Sequence, residues 1–71
     1  MCIASVKSMT HAIKAKKALE NFDISAEIVR LEPHMTKKGC AFGVQFSCVN
    51  LYKAIDAMDK KNIKYSEILD I

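Results

Sequence analysis

No stretch of the 71-residue sequence is apolar for long enough to span a bilayer, which removes a helical membrane protein from consideration. The N-terminus, "MCIASVKS", has only a short apolar run and no leading basic segment, so it does not read as a signal peptide. Cysteine is sparse: Cys2, Cys40 and Cys48 make an odd set at irregular spacing. That is no disulfide framework, and no CxxC pair or Cys/His cluster spells a zinc site. Free thiols without an export signal point to a reducing cytoplasm. There is one proline and there are two glycines, Pro33, Gly39 and Gly43, all in the middle of the chain. One arginine stands against ten lysines, the net charge is +3, and the lysines fall in small groups, which is not a nucleic-acid signature. No GxGxxG, P-loop, nucleophile elbow or paired-carboxylate arrangement occurs, and no base is placed beside a nucleophile. The expectation is a protein that is not an enzyme and that carries no cofactor and no metal.

What is present suits one small α+β domain over residues 1–71. Hydrophobic residues make up 51% of the chain and charged residues 27%, which excludes disorder. "CIASVK" (2–7) is a short β-branched and apolar run. "THAIKAKKALENF" changes to helical spacing, with Ala12, Ala15, Leu19 and Phe22 on one stripe and Ser8 or Thr10 available as a cap. "SAEIVRLE" (25–32) alternates as a strand, and "PHMTKKG" (33–39) reads as a loop that proline starts and glycine closes. In "CAFGVQF", Phe42, Val44 and Phe46 share one face, and Ala41, Gly43 and Gln45 the other. Ser47 opens a second helical stripe of Leu51, Ala54, Ile55 and Met58, and "IKYSEILDI" (63–71) closes the chain as a strand.

The order βαβ–βαβ, with halves of similar length, predicts a ferredoxin-like sandwich. It would be a four-stranded antiparallel sheet in spatial order 4-1-3-2 with both helices on one face and the other face open. Strands one and three are expected in the centre as parallel neighbours. Cys2 and Cys40 would then start adjacent strands at the same end of the sheet, with Cys48 at the opposite end and paired with neither.

Cys40 is the residue on which function turns. Lys37 and Lys38 precede it, and nearby ammonium groups favour thiolate over thiol. Gly39 permits a positive φ that could turn main-chain N–H groups toward an anion. The competing reading makes Cys40 a small buried hydrophobe, the commonest fate of a free cysteine. Cys48, in the first turn of a helix but beside Val49 and Leu51, reads as packed. His34, Met35 and Cys40 lie within seven residues and carry soft-metal ligand types, but no MxCxxC loop is present. "KGCAFGVQF" imitates an RNA-recognition strand, yet Cys40 stands where the first stacking ring belongs and "CIASVK" offers no aromatic partner, so RNA binding is not expected.

The arrangement resembles a family of small bacterial proteins described as selenium/sulfur carrier-like. The resemblance lies in Met9-Thr10-His11-Ala12 at the first helix, Lys17 to Ile24 at its end, the proline-bearing loop, "GCAFGVQF", and the closing strand with Ile63 and Tyr65. Here glycine precedes the cysteine and Ala41 follows it, whereas the family has glycine after. The resemblance implies that Cys40 holds sulfur or selenium as a persulfide or selenopersulfide, in a loop supported by Lys37, Lys38 and Gly39. It implies protein donors and acceptors of that atom, with Cys2 as the thiol that could discharge it as a disulfide. A second reading is an interaction or ligand-sensing module acting through the open sheet face as a homodimer. A third is a redox switch built on a Cys2–Cys40 disulfide, and metal transport is a distant fourth.

Overall fold

The computed structural model describes residues 1–37 and 39–70, in the order β1 (Cys2–Val6), α1 (Met9–Asn21), β2 (Glu27–Arg30), β3 (Phe42–Phe46), α2 (Leu51–Lys60) and β4 (Glu67–Asp70). Short 3-10 turns at Pro33–Met35 and Cys48–Asn50 precede β3 and α2. Helix α1 starts where the Ser8 hydroxyl accepts the His11 main-chain N–H at 3.3 Å, and it buries Ala12, Ala15, Ala18 and Leu19. The two helices end alike. Asp23 (φ 61°) and Asn62 (φ 55°) take the left-handed conformation that these residue types tolerate, and the next residue folds back onto the helix. Ile24 N–H donates to the Leu19 carbonyl and Ile63 N–H to that of Met58, both at 2.9 Å. The likeness of the two halves is thus repeated in their helix stops.

All three strand pairings are antiparallel and the sheet runs β2-β3-β1-β4, which is 4-1-3-2 read from the other edge. Both helices pack their small and apolar faces on one side, over Cys2, Ala4 and Val6 of β1 and Val44 and Phe46 of β3. Ile28, Phe42 and Ile68 close the rim of that core. The last strand is shorter than 63–71: Ile63 is buried ahead of it, and Ile71 lies outside the described residues.

Two expectations are corrected here. Strands β1 and β3 are central, but they run in opposite directions. The crossover through α1 aligns β2 with β1, and the chain reverses between β2 and β3, so β3 must oppose β1. The second correction concerns the face turned away from the helices, which is not open at its centre. Ile3 and Ser5 are fully buried there, and Leu31, just beyond β2, folds over Gly43. A methyl group at Gly43 would collide with Ile3 Cγ2 and sit 3.2 Å from Leu31 Cδ1. Glycine is needed at this position so that Leu31 can close on the sheet.

The strand directions decide the cysteines. Register pairs Cys2 with Phe46, so Cys48, two residues further on, arrives beside it. The two form a disulfide with Cα atoms 5.0 Å apart and a sequence separation of 46. The placement of Cys48 away from Cys2 is therefore overturned, and the free-thiol argument for a reducing compartment shrinks to Cys40 alone.

Two stability outcomes follow from this packing. Gly43→Ala overfills the Ile3–Leu31 contact and is expected to destabilise the fold by about 1–3 kcal/mol in denaturant titration. Reducing the Cys2–Cys48 bond frees a long loop in the unfolded chain and should cost about 2–4 kcal/mol, which lowers the melting temperature by roughly 10 °C or more. A melting curve indifferent to reductant would contradict the bridge.

Candidate functional site

Cys40 sits at the end of the sheet opposite the disulfide. It precedes β3 by two residues, and Phe42 pairs with Val6 at the finish of β1, so the length of β1, about 13 Å of strand, separates it from Cys2. Cys2 is not the resolving partner of Cys40; its sulfur is bonded to Cys48. A Cys2–Cys40 switch is excluded by the same geometry.

Four contacts fix the loop around Cys40. Leu31 N–H donates to the Ala41 carbonyl at 2.8 Å, which carries the β2–β3 pairing one step past the strands. The Cys40 main-chain N–H donates to Thr36 Oγ1 at 3.1 Å, which turns Cys40 back against Thr36. Gly39 serves this turn with φ +71°, where a side chain would meet nothing but would strain the backbone. Lys37 N–H donates to Glu67 Oε1 at 2.9 Å and ties the loop to β4. The Cys40 thiol donates to Ser66 Oγ at 3.1 Å.

Ser66 is itself set by the sheet. The Ser5 hydroxyl, buried in β1, accepts the Glu67 N–H at 3.1 Å and donates to the Glu67 carbonyl at 3.2 Å. The Ser66 N–H donates to the Ser5 carbonyl at 2.8 Å. A buried hydroxyl left unpaired would cost about 1–3 kcal/mol, so Ser5 holds the start of β4 firmly and Ser66 with it. The path from sequence to site runs Ser5 to Glu67, then Ser66, then the Cys40 sulfur.

Cys40 is only 4% exposed, yet it lies outside the core between sheet and helices. It is a buried sulfur at the seam between a loop and β4. Of the predicted supporting residues, Gly39 shapes the turn and Lys37 is exposed, contributing its main-chain N–H to Glu67. Lys38 lies outside the described residues. His34 is exposed and its Nδ1 stands 3.4 Å from the Glu32 carboxylate. Among the described residues, the one His/Cys/Asp/Glu group with metal-ligand spacing is Cys2, Cys48 and Asp70, and it does not include Cys40 or His34. Two of its three sulfur and oxygen donors are spent in the disulfide, with Asp70 Oδ1 3.7 Å from Cys48 Sγ.

Thr36, Ser66 and Ser5 are the residues that sequence reasoning missed. Thr36 and Ser66 carry no pattern, since isolated hydroxyls in loops are common. Ser5 had a signal: a serine among β-branched and apolar neighbours in the central strand must find hydrogen bonds inside the fold. No helix of the described residues is long and apolar enough to cross a membrane.

No curated protein and no solved structure matches the chain. One family model does match, over residues 1–70, and its description is "Putative Se/S carrier protein-like". With nearly the whole chain inside that match and one unbridged cysteine held at the loop the resemblance pointed to, the chain belongs to the Se/S carrier protein-like family.

Proposed function

We propose that this chain, a ferredoxin-like sandwich in our reading, carries sulfur or selenium on Cys40 between a donor and an acceptor protein. The observation that carries the proposal is the division of the cysteines: Cys2 and Cys48 are bonded to each other, and Cys40 alone keeps a thiol. The family description supports the same cargo.

Loading needs no oxidant. The Cys40 thiol gives up its proton, and the thiolate attacks the outer sulfur of a donor persulfide. The donor's S–S bond breaks, the donor thiolate leaves with the electron pair, and Cys40 holds the transferred atom as Cys–S–S⁻. Delivery reverses these roles with an acceptor thiolate. In this proposal the exchange runs between thiolates and persulfides, and the chain's part is to hold the transferred atom.

The covered position of Cys40 suits a carrier. A persulfide exposed to water and free thiols is discharged by any nucleophile that meets it, and burial behind the 31–41 loop slows that loss. Exchange then requires the loop to open. The side-chain contacts that tie it to the start of β4 among the described residues are two, at Glu67 and Ser66, and both engage part-buried or exposed groups. Once the sulfur is charged as Cys–S–S⁻, the Ser66 hydroxyl can turn from acceptor to donor and hold the anion.

The test is loading of the native, unreduced protein with the persulfide of an uncharged small thiol, read by mass spectrometry of the intact chain and its peptides. Cys40 is expected to gain one sulfur atom, and Cys40→Ser to gain none. A Cys40→Ser protein that still gains sulfur, or a wild type that gains none, would contradict the proposal. Gly39→Ala, which strains the turn by about 1–2 kcal/mol, should shorten the lifetime of the loaded form without preventing loading.

A further inference from the structure

Ser66 also lines a surface cleft of about 260 Å³, together with Lys7, His11, Lys64 and Tyr65. Lys7 and Lys64 bring two ammonium groups to it from the ends of β1 and of the α2–β4 connection. Neither is in an ion pair with a carboxylate among the described residues, whereas Lys16 and Lys60 are each paired along their helices at 3.5 and 3.2 Å. The cleft also abuts the start of α1. Lys7 and His11 flank the capping residue Ser8, and the first turn of α1 holds no acidic residue to neutralise its positive end. The Ser8 hydroxyl lies 2.7 Å from His11 Nδ1; with Ser8 donating, the ring N–H sits on Nε2. The nearest acid in sequence, Glu67, spends one carboxylate oxygen on the Lys37 N–H. Two lysines, an imidazole and the hydroxyl-bearing Ser66 and Tyr65 line this cleft, a donor-rich setting for a small oxyanion.

Ser66 joins the cleft to the thiol. It lines the cleft, and its Oγ accepts the Cys40 hydrogen at 3.1 Å. We infer that the donor drawn to this site is an oxyanion bearing a transferable terminal chalcogen, of the thiosulfate class, with its oxygens on Lys7 and Lys64 and its terminal sulfur or selenium directed at Cys40. This rests on Cys40 being the carrier thiol. The Cys40 proton leaves, the thiolate attacks the terminal sulfur, the bond from that sulfur to the sulfonyl sulfur breaks, and sulfite departs with the electron pair. Cys40 is left as the persulfide anion and no outside oxidant is consumed. The departing sulfite is also an anion, and the same lysines hold it until it diffuses away.

The experiment loads the unreduced, full-length protein from two donors in parallel, thiosulfate and the uncharged-thiol persulfide, and follows the gain of sulfur on Cys40 with time. Lys7→Ala/Lys64→Ala removes two exposed charges and should slow loading from thiosulfate by at least about tenfold while leaving loading from the other donor unchanged. Added sulfate should compete with thiosulfate alone. Unchanged loading by the other donor also shows that the double variant is folded. If the wild type loads from the persulfide but not from thiosulfate, or if the double variant takes sulfur from both donors at the wild-type rate, the cleft inference is overturned and the carrier reading stands. If Cys40 loads from neither donor, the carrier reading falls and the inference falls with it.

Discussion

The direction of β3 against β1 governs the chemistry of this chain. Because the two central strands are antiparallel, the residues that enter β1 meet those that leave β3, and Cys2 finds Cys48. The residues that leave β1 meet those that enter β3 and β4, and there Cys40 finds a serine in place of a second sulfur. The same pairing therefore consumes two cysteines at one end of the sheet and isolates the third at the other. Had β3 run parallel to β1, Cys2 and Cys40 would have shared an end and Cys40 would have been a candidate for a disulfide.

That isolation is supported by polar contacts that start deep in the sheet. Ser5 is fully buried and completes its hydrogen bonding on the main chain of Glu67. Glu67 then serves two neighbours: its backbone fixes where β4 begins, and its carboxylate takes the Lys37 N–H. Ser66, one residue earlier, takes the thiol. On the other flank, Leu31 closes over Gly43 and anchors the loop where it leaves β2. The loop is thus held at both sides by well-buried groups, while its middle rests on a few polar contacts that can open and reclose. A carrier thiol needs that combination, since a rigid cover would prevent exchange and an absent one would leave the cargo unprotected.

Much of the architecture was legible in the residues. The alternation in "CAFGVQF" named the face of Phe42, Val44 and Phe46, and the alanine stripe of α1 named its buried side. Periodicity reports which face of an element is apolar, and each such assignment depends on nearby residues. It does not report the sense in which distant strands pair, so the error about β1 and β3 carried directly into the cysteines. The far face was misjudged for a related reason. Val29 and Leu31 alternate as a half-exposed strand edge, and only the empty space over Gly43 explains why Leu31 turns in. At the site, Cys40 and Gly39 were visible because sulfur and positive φ are tied to particular residue types. Thr36 and Ser66 were not, because a hydroxyl acquires its role only from what the fold places beside it.

The most direct measurement is the rate at which a small alkylating reagent labels each cysteine of the native, unreduced protein, compared with the rate of global unfolding. The account predicts that Cys40 is labelled through local opening of the 31–41 loop, faster than the chain unfolds and with little dependence on dilute denaturant, while Cys2 and Cys48 stay unlabelled. Labelling of Cys40 only at the global unfolding rate would make it a sealed packing residue. Labelling of Cys48 in the native, unreduced chain would remove the bridge that sets Cys40 apart. Either result contradicts the account.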